Sequence, residues 1–223
     1  FGISISWNSH NNTISKNNAT KNKIGLEISS FSKFNIVNDN NFSYNIFPGW
    51  STNGIRISRA ENNSLTRNII SHNGWDGLQT YESSFNIFSN NTINNNGNHG
   101  IGLIRCNHNM IMENIIFSNG QYGANFEESK DNIVKFNNIN NHIVGIYLDD
   151  LSSCNLVLNN SFFGNGLNIQ DFQKPCTENG ILPPPADILF IFFAVVGIMI
   201  LITGAILALR SVLRIRITRY KKH

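Results

Sequence analysis

Cysteine, proline and charge are all scarce in this chain: three cysteines, five prolines and 14% charged residues among 223. Three cysteines cannot build a disulfide-dense scaffold. The charged fraction is well below the roughly 25% of an average soluble domain, and its sign is uneven. Residues 1–180 hold eleven Lys and Arg against thirteen Asp and Glu, so the formal net charge of +3 comes from the residues beyond them. Without a basic stripe in that region, nucleic acid is excluded as an expected partner. Apolar periodicity of 3.6 residues is missing from the first three-quarters, which excludes helical repeats. The chain opens on Phe1 with neither an initiator methionine nor a signal peptide, so it is expected to be a fragment whose upstream part is missing.

What recurs is glycine. Gly2, Gly25, Gly54, Gly77, Gly100, Gly123 and Gly145 are separated by 23, 29, 23, 23, 23 and 22 residues, and each opens an alternating run such as Gly54-Ile55-Arg56-Ile57. Nine residues on stand Asn63, Asn86, Asn109 and Asn132, then Cys154; fourteen on stand Asn68, Asn91, Asn114, Asn137 and Asn159. A fixed period of this length means one unit stacked on itself. Leu78, Phe88 and Ile93, and again Ile101, Ile111 and Ile116, hold the same offsets, as three short strands per unit facing one interior. With coils roughly 4.8 Å apart, seven of them make a rod on the order of 34 Å long. The 39 asparagines fall mostly in columns, where stacked amides satisfy one another.

The pattern GIxL followed by SxxNxIxxNxI resembles the repeat of the NosD-like proteins and of the wider carbohydrate-binding and sugar-hydrolysis group. Gly25-Leu26-Glu27-Ile28-Ser29 and Asn109-Met110-Ile111-Met112-Glu113-Asn114-Ile115 carry the match, which covers residues 2 to about 170. The resemblance implies an all-β fold, a right-handed, single-stranded parallel β-helix of about seven coils. It says little of function, because the repeated positions are core and ladder positions.

Residues 188–209 contain no charge, and as a helix they would extend about 33 Å, enough for a bilayer core. Arg210, Arg214, Arg216, Arg219, Lys221 and Lys222 follow with no acid among them. The expected organisation is a β-helix domain over 1–170, a proline-containing stalk over 171–187, one C-terminal transmembrane helix over 188–209 and a basic cytoplasmic tail over 210–223. The positive-inside rule then places the repeats in the extracellular or periplasmic space of a single-pass membrane protein, with the tail against anionic lipid. Cys154 and Cys176 lie one coil length apart, but the repeat fades after Asp171, so two unpaired thiols are expected.

Several constellations could carry chemistry. Asn53, Asp76, His99 and Tyr122 precede successive glycines. With Trp75 and the Trp50 insertion, they offer aromatic surface beside polar groups, as a sugar-binding strip requires. Turn packing is the other reading of the same rings. Arg59, Glu82, Arg105 and Glu128, five residues after each glycine, read either as an ion-pair ladder or as a solvated face. Glu127, Glu128, Asp149 and Asp150 form an acidic edge, a candidate Ca²⁺ site or acid/base pair for sugar chemistry. Cys106, His108, Met110 and Met112 suit Cu(I), which the NosD resemblance associates with copper-site maturation. No cofactor is required by the sequence. The carboxylates cluster without His or Arg at matching offsets, so the leading expectation is a surface module that binds carbohydrate or a protein partner. A polysaccharide lyase, hydrolase or epimerase, and a copper-site accessory protein, are the alternatives.

Overall fold

The computed structural model describes residues 1–176. The expected transmembrane helix and basic tail, and the stalk from residue 177, lie outside the described residues; among the described residues no helix is long and apolar enough to cross a membrane. Phe1–Cys176 forms one compact unit, a parallel β-helix of about seven turns.

Each turn contributes short strands to three parallel sheets of eight, seven and five strands. The long sheet comprises Ile3–Ile5, Ile24–Ser29, Asn53–Ser58, Leu78–Tyr81, Ile101–Ile104, Tyr122–Glu127, Val144–Leu148 and Leu167–Asp171. Every strand pairs in register with the one a coil later, as Leu78, Ile101 and Ala124 do. Branched and aromatic side chains alternate inward and stack in columns: Leu65, Phe88, Ile111 and Val134 on the second sheet, Ile70, Ile93, Ile116 and Ile139 on the third. All are fully buried. The recurring glycine breaks the alternation where the chain enters the long sheet. A Cβ on Gly100 would lie 2.6 Å from the Gly123 carbonyl oxygen, so no larger residue fits that corner without displacing backbone.

Three asparagine columns line the corners, one more than the sequence pattern revealed. Asn91 shows how each works. Its backbone N–H and its Nδ2 both donate to Asn114 Oδ1, at 2.9 and 3.1 Å, and Nδ2 also donates to the Leu65 carbonyl at 2.9 Å. Its own Oδ1 accepts from Asn68 N and Nδ2. The third column runs Asn22, Asn45, Asn73, Asn96 and Asn119, then takes His142 in place of an amide.

The final coil corrects the expected register. The columns continue through Asn155 and Asn160, not Cys154 and Asn159, and Val157 rather than Leu156 pairs with the inward Val134. One residue is lost in the turn before Val144 and one is gained in the turn after Leu148, which shifts every offset counted from Gly145. The chain also keeps following the coil past Asp171. Phe172 N donates to Leu148 O and Lys174 N to Ser152 O, and Gln173 Oε1 caps the first asparagine column by accepting from Asn155. This path brings Cys176 over Cys154, and the two are disulfide-bonded with Cα atoms 5.0 Å apart, not free thiols as expected.

The turn ladder is present. Arg59 bonds Glu82 at 2.8 Å, Glu82 meets Arg105 at 3.8 Å, and Arg105 bonds Glu128 at 3.0 Å. All four residues share a left-handed backbone conformation, which splays their side chains from one edge. Glu82 is held below the usual carboxylate range, chiefly by its hydrogen bond from Arg59.

The amide columns generate a stability prediction. Asn91→Asp replaces two buried N–H donors with an acceptor facing the Leu65 carbonyl and Asn114 Oδ1. It should cost about 3 kcal/mol or more in urea denaturation. Asn138→Asp, on the exposed face of the third sheet, should stay within about 0.5 kcal/mol. Equal effects would show that the columns do not carry the fold.

Candidate functional site

The outer face of the long sheet carries two side-chain columns: the residue before each glycine and the residue two after it. Cross-column hydrogen bonds show that they share that face. Asn53 Nδ2 donates to Gln79 Oε1 at 3.1 Å, and Gln79 Nε2 donates to Asp76 Oδ2 at 3.1 Å. Asp76 Oδ1 accepts from Asn98 Nδ2 and from the His99 backbone N–H, each at 3.0 Å. Gly102 has no side chain on this face and is itself buried, and a Cβ there would crowd Asp76 Oδ2 at 3.3 Å.

Beyond the recess, Glu127 Oε1 accepts from Asn125 Nδ2 at 2.8 Å, and the same amide nitrogen lies 3.3 Å from His99 Nε2. The carboxylate fixes the amide orientation, so Asn125 presents N–H to His99 Nε2. That makes Nε2 the acceptor and puts the imidazole proton on Nδ1. Burial pushes His99 down to about 4, which keeps the ring neutral at physiological pH. His99 Nδ1 and Asn125 Oδ1 make no hydrogen bond within the described residues, although the two side chains are only 8% and 3% exposed. The rings of His99, Tyr122 and Tyr147 stack along the rod axis at 4.9 Å intervals. Tyr122 therefore has both faces covered, by His99 and Tyr147.

Asp76 is 2% exposed, and desolvation pushes its carboxyl up to about 6 despite three hydrogen bonds that oppose the shift; the Glu127 charge adds to the rise.

The structure thus brings together Asp76, His99 and Tyr122, read in the sequence as a binding edge, with Glu127, read as part of an acidic cluster. The rest of that cluster has other partners. Glu128 belongs to the ion ladder, Asp149 accepts from the Glu128 and Ser152 backbone N–H groups as a turn cap, and Asp150 lies exposed in the same turn. Trp75, 42% exposed, sits beside Asp76 with only its backbone hydrogen-bonded. Trp50, 61% exposed, has Lys23 Nζ 3.3 Å from its ring centroid.

The four soft donors do not converge. Cys106 faces the interior, its thiol bonded to Ile104 O and pushed up to about 11 by burial. Met110 and Met112 flank the inward Ile111 on the outer side of the second sheet, and His108 stacks on Phe85. A buried, protonated thiol on one side of the wall and thioethers on the other do not fit one copper ion. Among the described residues, no three His, Cys, Asp or Glu side chains form a metal-binding group.

Sequence reading missed Gln79, Gly102, Asn125 and Tyr147. Their common position, two after each glycine, was a usable signal, but their differing chemistry hid it.

Asp76 also generates a linkage prediction. A carboxyl raised in the folded state contributes stability that is full below the unfolded value near 3.8 and is lost as pH rises through about 6. His99 and His142, both lowered to about 4 by burial, act oppositely, losing stability as pH falls below the ordinary histidine range. Those histidine contributions cancel in a comparison with Asp76→Asn. That variant should gain on the parent by roughly 2–3 kcal/mol between about pH 4 and pH 7. A pH-independent difference would mean that Asp76 ionises without cost.

No curated protein sequence matches the chain. Among solved structures, the A-module of a mannuronan C-5 epimerase of Azotobacter vinelandii superposes with a TM-score of 0.70 at 16% identity, covering 80% of this chain and 54% of that one. A periplasmic alginate epimerase gives 0.64 at 21% identity, covering 72% and 42%. The chain spans about half the length of these structures, and at such identities the likeness establishes the fold alone. The family model for NosD, described as a periplasmic copper-binding protein, matches residues 5–179. Matched over most of its length and folded as that repeat requires, the chain belongs to the NosD family.

Proposed function

We propose that this chain is an extracytoplasmic β-helix module, anchored through residues 188–209, that binds a glycan along the outer face of its long sheet. One observation carries the reading: His99 Nδ1 and Asn125 Oδ1, a donor and an acceptor, are buried without partners on this face. Unpaired buried polar groups cost free energy that a hydroxyl-rich ligand can recover. Both faces of Tyr122 are covered by its neighbours, so flat apolar contact falls to Trp75. A protein partner would meet the same surface, but the face around Asp76, His99 and Asn125 is polar, which suits sugar hydroxyls better than an interface core.

Catalysis is the second reading. Asp76, held near 6 close to His99 and Tyr122, is the observation in its favour, and the epimerases of like fold act on alginate chains. Binding fits better because the available base is weak. A general base works best with a pKa near the operating pH, whereas His99 sits at about 4 and Asp76 is committed to three donors. The copper in the family's description finds no fitting donor set among Cys106, His108, Met110 and Met112, so no step is assigned to it.

A glycan array probed with the 223-residue chain, followed by a turnover assay on each bound sugar, tests both readings. Product release from a bound sugar would replace the binding module with an enzyme. Trp75→Ala should leave stability within about 0.5 kcal/mol and weaken glycan binding by on the order of 1–3 kcal/mol. A large fall in melting temperature with unchanged affinity would make Trp75 a packing residue.

A further inference from the structure

A surface cleft of about 390 Å³ opens on the turn edge beyond the long sheet, lined by Phe31, Lys33, Arg59, Glu61 and Glu82. Three successive turns contribute, those after Ile24–Ser29, Asn53–Ser58 and Leu78–Tyr81. The first of these turns is longer than the next. Ser29 pairs with Ser58, and Asn35 Nδ2 donates to Asn63 Oδ1, so residues 30–34 oppose only residues 59–62. One of the extra residues of the 29-residue coil is spent here. As in a β-bulge, the surplus residue re-aims a side chain. Phe31 N donates to Arg59 O at 2.7 Å, and the Phe31 ring stands 60% exposed.

The polar groups of the cleft are within reach of solvent, each side chain about one-third exposed or more. Each ion pair uses only part of its members. Lys33 Nζ bonds Glu61 Oε2, and Arg59 Nε bonds Glu82 Oε2, both at 2.8 Å. Arg59 Nη1 and Nη2, two protons of Lys33 Nζ and Glu61 Oε1 are left without a protein partner among the described residues. Within the same residues, neither a second ring nor a cation covers Phe31.

Charge decides the ligand class. Two cations and two carboxylates line the cleft, so its charges cancel. An anionic sugar would reach Lys33 and Arg59 only in competition with Glu61 and Glu82, and a cationic sugar would meet the reverse competition. A neutral hydroxyl both donates and accepts. It can accept from Arg59 Nη and donate to Glu61 Oε1 without breaking either pair, and hydrogen bonds to charged groups are the stronger kind. Phe31 supplies apolar contact for the C–H face of a pyranose ring. The volume falls within the roughly 300–1,000 Å³ of small-ligand sites.

We propose that this cleft is a second carbohydrate subsite, which takes a neutral hexopyranose against Phe31 with hydrogen bonds from Arg59 and Lys33 and to Glu61. It goes beyond the binding face around Trp75 and Asp76 and is separate from it. Glu82 follows the strand Leu78–Tyr81, whereas Trp75 and Asp76 precede it.

The test uses the 223-residue chain and its Trp75→Ala variant, so that the two sites are read apart. Neutral disaccharides of glucose, mannose and galactose are titrated against both by calorimetry, with a glucosamine disaccharide and a diuronate as charged comparators. A neutral disaccharide should bind Trp75→Ala about tenfold or more tightly than either charged sugar, with little dependence on salt. Adding Phe31→Ala should weaken that binding about tenfold, the scale of one aromatic contact, with the melting temperature unchanged. Arg59→Lys keeps the charge but loses the guanidinium N–H groups, and should weaken it severalfold. Phe136→Ala removes a ring of similar exposure at another turn and should change nothing. Undiminished binding by Phe31→Ala, an equal loss in Phe136→Ala, or equal or tighter binding of a charged sugar would overturn the proposal. Loss of all binding in Trp75→Ala would overturn it too, while leaving the Trp75 face in place. Loss of all binding in Phe31→Ala with none in Trp75→Ala would uphold the cleft and remove the Trp75 face. Binding of no disaccharide to either protein would also overturn the cleft, and the glycan array would then decide the wider reading separately.

Discussion

Amide satisfaction is the constraint from which the rest of this molecule follows. An asparagine side chain has two donors and two acceptor sites, and a buried one is costly unless all are used. In the ladder the amide of Asn91 uses all four: two donations, to Asn114 and Leu65, and two acceptances, from Asn68. The geometry closes only when the next coil presents the same residue at the same corner. Asparagine therefore fixes the register of the corners, even across the 29-residue coil where Asn40 still donates to Asn68, and that register fixes which side chains lie above one another. The apolar columns fill the interior but do not set the register by themselves, because any branched side chain can stack on any other. Departures from the rule are met locally. His142 enters the third column as a neutral ring, its pKa lowered by burial, and bonds Asn119 on one side and Asn165 on the other. Gln173 reaches the end of the first column from a segment that is no longer a full coil.

Stacking of this kind also explains which features the sequence discloses. Core and ladder positions repeat in residue type, so Leu65, Phe88, Ile111 and Val134, or Asn63, Asn86 and Asn109, announce themselves by spacing alone. Two compensating irregularities defeat simple counting in the last coil. The turn before Val144 is one residue short and the turn after Leu148 one residue long, so Asn155 and Asn160 take places that counting from Gly145 assigns to Cys154 and Asn159. The disulfide between Cys154 and Cys176 was hidden because no repeat residue marks Phe172–Cys176, although its backbone still follows the coil.

The site was only half legible, for a different reason. Asp76, His99 and Tyr122 share one column and could be grouped by position. Their partners Gln79, Gly102 and Asn125 lie three residues further on, a spacing that strict strand alternation assigns to opposite faces. The glycine between them breaks that alternation and returns both columns to the outer face. The same geometry undoes the candidate copper set. Cys106, His108, Met110 and Met112 alternate in sequence, yet Cys106 precedes the strand Met110–Met112 across a turn and faces inward. A binding surface varies from coil to coil, so it lacks the repetition that makes a scaffold readable.

Charge is treated in two ways on adjacent edges. Along the turns, Arg59, Glu82, Arg105 and Glu128 alternate so that each charge has a partner, and each pair is exposed enough to contribute little energy. One strand away, Asp76 and Glu127 have neither a cation between them nor a common hydrogen-bond donor, and Asp76 is buried deeply enough to be driven toward its neutral form. The fold could have relieved this with a basic residue at position 102, where the column otherwise carries Arg56. Glycine stands there instead, and even a Cβ would come within 3.3 Å of Asp76 Oδ2. A solenoid stabilised elsewhere by continuous amide columns can tolerate a stretch of outer face that is electrostatically unfavourable. Such a local cost, beside two buried polar atoms without partners, is what a functional face is expected to show.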